Sequence, residues 1–209
     1  MGSGFQMDKI NRSIFPLAAF GSIHYFQSLL QSPGFLFEQF EHFPKQTIRN
    51  RYEIKSANGR TRLTIPVIKP SGSKTNTKDI LISDKENWQQ VHWRSLIGAY
   101  SAAPYFEHYK SDVEQLIFSK EKYLVDFNLK AFSFFSDTWD LQITPELTSE
   151  YHHLYEKDFR NNEFDKSELD NNTSYIQVLF EKSDKFVTNL SLIDLLFCEG
   201  PMGRKILTK

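Results

Sequence analysis

The fold class is decided by residues 13–37, which read SIFPLAAFGSIHYFQSLLQSPGFLF. Residues 13–20 form an apolar run with the length of a buried strand, and Gly21 supplies a turn. Ser22 then precedes apolar residues spaced as on one face of a helix, and a Pro-Gly pair ends that pattern. A second apolar run follows at residues 34–37. Strand, helix and strand in so short a segment predict an α/β unit.

Residues 45–67 predict a β-hairpin. They read KQTIRNRYEIKSANGRTRLTIPV, and polar and apolar side chains alternate on both sides of a Ser-Ala-Asn-Gly sequence at 56–59. Asn-Gly tolerates the positive φ angles of a tight hairpin turn. The side chains expected on the buried face are those of Tyr52, Ile54, Leu63, Ile65 and Val67.

The other segments predict short strands and a helix-rich second half. We expect strands at residues 78–83, 141–144 and 175–180, and helices at 88–100 (capped by Asn87), 105–118, 121–135 and 191–198. Residues 151–170 are acidic and polar, which predicts an exposed or mobile connection. The fold class is therefore α/β, with a mixed sheet, a β-hairpin, flanking helices and a helical C-terminal half. We expect one domain over residues 1–209, helix-rich from about residue 105.

Composition narrows the classes of function. Hydrophobic residues make up 40% of the 209 residues, as in globular proteins, and the 19 phenylalanines predict a Phe-filled core. The one cysteine, Cys198, excludes an internal disulfide and a cysteine-based metal site. No apolar run has the length of a membrane span. We therefore expect a cytoplasmic protein.

Positive charge is concentrated in residues 45–78. This segment has nine Lys or Arg residues and one acid, Glu53, for a net charge of +8, whereas the whole chain carries −1. Such a separation lets one region attract anions while the molecule stays near neutral.

The densest part of this segment is a candidate anion site. In a strand, Arg49 and Arg51 would point to the same face, where two guanidinium groups repel each other unless an anion lies between them. Their planar donors suit phosphate or carboxylate, and Lys45 can add a point charge. The alternative is that acids elsewhere, such as those in residues 156–170, neutralise the cluster.

The helix predicted at residues 88–100 offers a second candidate site. Trp88 and His92 are four residues apart and therefore lie on one face of the helix. A histidine in this setting can exchange a proton near neutral pH. The alternative is a histidine at the edge of the core that is bonded to a carbonyl group.

Two more residues stand out. His24 lies just after the first strand and turn, where α/β sheets bind ligands. Asp194 lies inside an apolar helix and needs a partner, for which a basic residue of the 45–78 segment is a candidate. Walker, GxGxxG, GxSxG and HExxH motifs are all missing from the sequence. The sequence therefore names no cofactor and indicates no metal.

Four motifs occur in order along the chain: KQTIRNR (45–51), LTIPV (63–67), HWR (92–94) and SLIDLLF (191–197). Together they resemble the WbqC-like family, in the form common in Bacteroidota. By this resemblance, the family's basic motif, its H-W segment and its final aspartate correspond to Lys45, Arg49, Asn50 and Arg51, to His92 and Trp93, and to Asp194.

The resemblance is weaker near the N-terminus. Many members begin with an aromatic, proline-rich segment of the type QPYFFPYIGYF, whereas residues 15–26 here read FPLAAFGSIHYF. The second proline is missing, although the Tyr-Phe pair at 25–26 is kept. If this segment lines the substrate, with His24 and Tyr25 as contacts, we expect a specificity that differs from those members.

The resemblance implies a role in surface polysaccharide or envelope biosynthesis. With the basic segment, it predicts a transferase for an anionic substrate, which is a nucleotide-linked sugar or an acyl- or aminoacyl-activated compound. The expected site consists of Lys45, Arg49 and Arg51 for the anion, Trp88, His24 and Tyr25 as substrate contacts, and Asn50 and His92 in catalysis. The alternative is a non-catalytic protein whose basic segment binds RNA or a protein partner.

Overall fold

The computed structural model describes residues 10–32, 34–162, 164, 174–180 and 185–209. Within these residues the strands are, in chain order, β1 (Ile10–Pro16), β2 (Leu36–Glu38), β3 (Arg51–Ser56), β4 (Gly59–Thr64), β5 (Val67–Ile68), β6 (Leu81–Ile82) and β7 (Tyr155–Asp158). The helices are α1 (Ile23–Leu30), α2 (Trp88–Tyr100), α3 (Phe106–Ile117), α4 (Leu124–Thr138), α5 (Leu192–Glu199) and α6 (Gly203–Leu207). The predicted α/β class, with a hairpin and flanking helices, is confirmed. Of the helices described, none has the length and apolar character needed to cross a bilayer.

β1 is the central strand of a parallel sheet with the order β2-β1-β7. Ile14 of β1 pairs with Leu36 of β2 on one side and with Asp158 of β7 on the other. α1 connects β1 to β2, and Ser22 caps it because its Oγ accepts the N–H of Tyr25 at 3.4 Å. The predicted strand–helix–strand unit is therefore confirmed. Because the strands run in parallel, their carboxyl ends meet at one edge of the sheet.

β3 and β4 form the predicted antiparallel hairpin. Gly59 closes its turn with a φ of 87°, a left-handed conformation that glycine adopts without strain. Tyr52 and Ile54 are buried, and β3 packs against α2 and α5. β5 and β6 form a separate short antiparallel pair. The strand expected at residues 78–83 is shorter than predicted, because residues 77–79 form a 3₁₀ turn.

Phenylalanine fills much of the core, as the composition predicts. Most of the 19 phenylalanines are buried. Phe15 of β1 stacks on Phe159 with ring centroids 4.3 Å apart, and Phe20 meets Tyr52 edge to face at 4.7 Å. Such aromatic pairs add to the stability that burial alone provides. The contact between Phe20 and Tyr52 holds the segment after β1 against the hairpin.

Two predicted strands are wrong. Residues 141–144 form no strand, and Gln142 has a φ of 52°, which lies outside the strand region. Residues 174–180 also form no strand. There the Gln177 side chain pairs with the backbone of Val187, donating to its carbonyl at 2.8 Å and accepting its N–H at 2.9 Å. A side chain thus takes the place of a neighbouring strand.

The acidic segment at residues 151–170 also differs from the prediction. It contains β7, which hydrogen-bonds to β1 in the parallel sheet, so this part is no loose connection. The burial of Tyr155 explains why: the strand keeps one apolar anchor among polar residues. The acids at positions 163, 165, 168 and 170 lie outside the described residues.

Candidate anion-binding site

A cleft of about 380 Å³ opens where segments from the carboxyl ends of the parallel strands converge. We call it the basic cleft; it is lined by residues 44–49, Arg51, Arg62 and residues 160–162. Residues 44–49 follow β2, and residues 160–162 follow β7. Open α/β sheets bind their ligands at this edge, beside the strand where the chain order reverses. Here that strand is β1.

The loop at residues 44–50 is held in place by hydrogen bonds to its backbone. Ala19, just after β1, donates its N–H to the carbonyl of Ile48 at 3.1 Å. Asn128 of α4 is buried and donates from Nδ2 to the carbonyl of Arg49 at 2.8 Å. Because both bonds come from well-packed elements, the loop forms a fixed wall of the basic cleft.

Arg49 is committed to the protein interior. Its side chain is 1% exposed, its Nε donates to Glu41 Oε1 at 2.7 Å, and its Nη2 donates to the carbonyl of Arg160 at 3.0 Å. Burial lowers the pKa of Arg49 and raises the pKa of Glu41. The prediction that Arg49 and Arg51 lie on the same face of a strand is wrong, because β3 begins only at Arg51. The acid that neutralises Arg49 is Glu41, which lies just after β2 and not in residues 156–170.

Arg51 and Lys45 give the basic cleft positive charge that no described residue neutralises. Arg51 is partly exposed, and its buried Nε has no acceptor within the described part of the chain. Lys45 is exposed and forms no ion pair with those residues. Arg62 differs, because its Nη2 lies 2.6 Å from Glu53 Oε1. Two unpaired cations in one cleft favour an anionic ligand.

The loop carries two further signs of a binding site. Gln46 has a φ of 61°, a left-handed conformation that costs a non-glycine residue about 1–3 kcal/mol and that recurs at ligand sites. Next to it, Thr47 Oγ1 is buried without a hydrogen-bond partner among the residues that the structure describes. Both residues line the basic cleft. A ligand with acceptor oxygens would satisfy the hydroxyl group.

Arg160 contributes another part of the lining and is anchored by two acids. Its Nη2 lies 2.6 Å from Asp158 Oδ2, and its Nη1 lies 3.2 Å from Glu38 Oε2. Glu38 ends β2 and Asp158 ends β7, so Arg160 joins the carboxyl ends of the two outer strands. Its charge is therefore largely balanced, and its position is fixed.

Sequence reasoning missed residues 160–162. The acidic composition of residues 151–170 hid a strand whose buried anchor is Tyr155. Three charged residues separate Tyr155 from Phe159, so this run lacks the alternation of polar and apolar residues that indicates a strand.

His92 and Trp88, predicted at the site, lie in the interior away from the basic cleft. His92 is 2% exposed; its Nε2 is 3.2 Å from the carbonyl of Thr64, and its Nδ1 is 2.9 Å from the hydroxyl of Tyr52. Because a carbonyl only accepts, Nε2 carries the proton and Nδ1 accepts from Tyr52. Burial lowers the pKa of His92 to about 4. This geometry matches the alternative of a histidine bonded to a carbonyl.

Three other predicted residues line no part of the basic cleft. Tyr25 is buried and donates its hydroxyl to the carbonyl of Pro16 at 2.6 Å. Asn50 is buried and donates from Nδ2 to the carbonyl of Ile65 at 2.9 Å, which fixes the base of the hairpin. His24 is half-buried at the start of α1, and burial lowers its pKa. The structure therefore brings together Lys45, Arg49 and Arg51, and leaves the other predicted residues outside.

Asp194 has hydroxyl groups and an amide as its direct partners. It is fully buried, Tyr100 donates to its Oδ1 at 2.7 Å, and Gln177 Nε2 lies 3.2 Å from its Oδ2. Tyr175 also donates to Oδ2. Burial raises the pKa of Asp194, and the charge of Lys55 acts in the opposite direction as a smaller effect. A basic residue of the 45–78 segment thus has only a secondary effect on the pKa of Asp194. The hydrogen bond between Tyr100 and Asp194 joins α2 to α5.

The chemistry available in the basic cleft is that of cationic and amide donors. Its described lining residues carry guanidinium, ammonium, hydroxyl and amide groups, and none of them is a carboxylate, thiol or imidazole. Across the described residues, no group of three or more His, Cys, Asp or Glu side chains is placed to hold a metal ion. The cleft is therefore suited to binding an anion and to stabilising negative charge.

Comparison with known proteins gives a family and no activity. The uncharacterised protein Rv1507c of Mycobacterium tuberculosis (strain ATCC 25618 / H37Rv) is 32% identical over 82 residues. The match covers 39% of this chain and 35% of that protein, so it spans about a third of the relative. No solved structure matches the chain.

The profile of the WbqC-like protein family matches residues 20–161. This range includes the loop at residues 44–50, Arg51 and Arg160. It covers well over half of the 209 residues. The chain therefore belongs to the WbqC-like protein family.

Proposed function

We propose that the chain is a transferase that holds the anionic, activated part of its substrate in the basic cleft. The observation that carries this proposal is the presence of two unpaired cations, Arg51 and Lys45, in a cleft at the carboxyl edge of the parallel sheet. The substrate would be a nucleotide-linked sugar or an acyl- or aminoacyl-activated compound. Family resemblance supports surface polysaccharide or envelope biosynthesis as its setting.

Transfer from a nucleotide-linked sugar or an aminoacyl phosphate breaks the bond between the transferred group and a phosphate oxygen, and it leaves negative charge on the departing phosphate. Cationic donors that are fixed before the reaction stabilise that charge, and they act more strongly in a partly enclosed cleft than in water. Arg51 and Lys45 would do this in the basic cleft, with Thr47 Oγ1 as a hydrogen-bond donor. Arg49 would act indirectly, because it fixes the loop through Glu41. His92 and Asn50 are engaged in the interior, so this proposal gives them no catalytic step.

The shape of the site favours a small anion over RNA. An RNA surface needs an extended basic face with exposed aromatic side chains on which bases stack. Here the two unpaired cations, Arg51 and Lys45, lie together in a cleft of about 380 Å³ and not along an extended face.

Thermal unfolding with a set of ligands tests the proposal. The ligands are pyrophosphate, nucleoside diphosphates, sugar nucleotides, a non-hydrolysable aminoacyl adenylate and a short RNA. At 100 times its dissociation constant, a ligand adds about 2.7 kcal/mol to the free energy of unfolding, which raises the Tm of a chain of this size by about 5–10 °C. Arg51→Ala should lose this shift, whereas Arg94→Ala, which removes an exposed arginine of α2, should keep it.

Product analysis separates a transferase from a binding protein. The ligand that raises the Tm is incubated with candidate acceptors, and mass spectrometry identifies any transferred group. Stabilisation by RNA alone, or by no anion in the set, would contradict the proposed function.

A further inference from the structure

A second and larger cleft, of about 710 Å³, adjoins the basic cleft. We call it the aromatic cleft; it is lined by residues 40–42, Tyr151, His153 and Asp158, and it shares Arg160 and Asn161 with the basic cleft. The two clefts therefore adjoin each other at Arg160 and Asn161. Volumes of this size are typical of sites for small organic ligands. One ligand can occupy both clefts if it has an anionic part and a second part of different character.

The aromatic cleft offers flat aromatic faces. Tyr151 is 43% exposed. The Arg160 guanidinium carbon lies 5.0 Å from the centroid of its ring, and His153 meets this ring edge-on at 4.9 Å. Phe40 adds a second ring, with Lys78 Nζ at 4.8 Å from its centroid. Tyr and Phe rings in such places bind planar groups by stacking.

The acids of the aromatic cleft are already occupied. Glu41 binds Arg49, and Asp158 binds Arg160 through both carboxylate oxygens. A sugar is commonly held by carboxylates that accept from its hydroxyl groups, whereas both carboxylates here are paired with arginine. His42 and His153 are exposed, and each can donate or accept a hydrogen bond. The cleft thus suits a planar group with polar edges and no net charge.

We propose that the aromatic cleft binds the base of a nucleotide whose phosphate groups lie in the basic cleft. This inference rests on the proposed function and makes it specific: the activated substrate is a nucleotide derivative. Arg160 and Asn161 lie where the two parts of the ligand join. Tyr151 supplies the stacking surface, and the exposed histidines contact the edge of the base.

Isothermal titration calorimetry with pyrophosphate, ribose 5-phosphate, ADP and UDP tests this inference. We expect ADP or UDP to bind at least about 5-fold more tightly than pyrophosphate, because stacking of one base on an aromatic ring strengthens binding by about 5- to 160-fold. In Tyr151→Ala this advantage should be lost, so that ADP and UDP bind the variant no more tightly than pyrophosphate does. Tyr151→Phe should keep the advantage. Tyr123→Ala, which removes an exposed tyrosine at the start of α4, should change neither ligand.

The outcomes distinguish this inference from the proposed function. If pyrophosphate binds through Arg51 but nucleotides bind no more tightly, the base site is wrong and the anion site stands. Ribose 5-phosphate binding as tightly as both nucleotides would also overturn the base site. If neither pyrophosphate nor a nucleotide binds the wild-type chain, both proposals are wrong. Saturation-transfer NMR needs no variant. Saturation should pass from the protein to the protons of the base, and the absence of a saturation-transfer signal on these protons would contradict the inference.

Discussion

Arg49 and Glu41 form a largely buried ion pair at the basic cleft, with Arg49 Nη2 2.6 Å from Glu41 Oε1. Removing one partner of such a pair leaves the other charge unpaired in a poorly solvated place. We predict that Arg49→Ala lowers the free energy of unfolding by about 3–5 kcal/mol, as measured by urea denaturation. The double variant Arg49→Met/Glu41→Gln should recover most of the loss. Equal losses in the single and double variants would contradict this account.

Asp194 is predicted to stabilise the contact between α2 and α5 through its buried hydrogen bonds. Asp194→Ala removes the acceptor of the Tyr100 and Tyr175 hydroxyl groups, and each buried donor left unpaired costs about 1–3 kcal/mol. We therefore expect a loss of about 2 kcal/mol or more in urea denaturation. Tyr100→Phe should cost less. The loss in the double variant should fall short of the sum of the single losses, since the two residues share one bond; strict additivity would contradict the bond.

His92 makes the stability of the protein depend on pH. Its pKa in the folded state is about 4, whereas its ordinary value is 6.5, because burial disfavours the charged ring. As the pH falls below 6.5, the unfolded chain takes up a proton that the folded chain does not. The stability that His92 contributes is therefore complete above that value and is lost as the pH falls towards 4.

The size of this effect can be measured against a variant. Between pH 7.5 and pH 4, the free energy of unfolding of the wild type should fall by about 3 kcal/mol more than that of His92→Gln. Comparing the two proteins cancels the titration of all other groups that the substitution leaves undisturbed. Parallel pH profiles would show that His92 titrates normally and is not enclosed as described.

Much of the fold could be predicted because its signals are local. The cap at Ser22, the helical spacing after it and the Asn-Gly turn before Gly59 each depend on neighbouring residues only. β7 could not be found this way, because Tyr155 is its one buried anchor and its pairing with β1 joins residues far apart in sequence. Gln177 shows the reverse case: its run resembles a strand, but the side chain turns inward to Asp194.

The positive charges of the site could be predicted from the sequence, but the groups that pair with its side chains could not. Clustering along the chain is enough to place Lys45 and Arg51 beside one another. Whether a particular arginine is unpaired depends on distant acids, and Glu41 removes Arg49 from the set of free cations. In the same way, the carbonyl of Thr64 decides what His92 can do. Arg160 enters the site only through the parallel sheet.

The central claim is that Arg51 and Lys45 bind an anion in the basic cleft. Calorimetric titration of pyrophosphate into the wild type, Arg51→Ala, Lys45→Ala and the exposed control Arg94→Ala tests it most directly. A hydrogen bond to a charged group contributes about 1.5–3 kcal/mol, so Arg51→Ala should weaken binding at least 10-fold. Lys45→Ala should weaken it less, and Arg94→Ala should stay within about twofold of the wild type. Equal affinity in the wild type and Arg51→Ala, or no binding to a folded wild type, would contradict the claim.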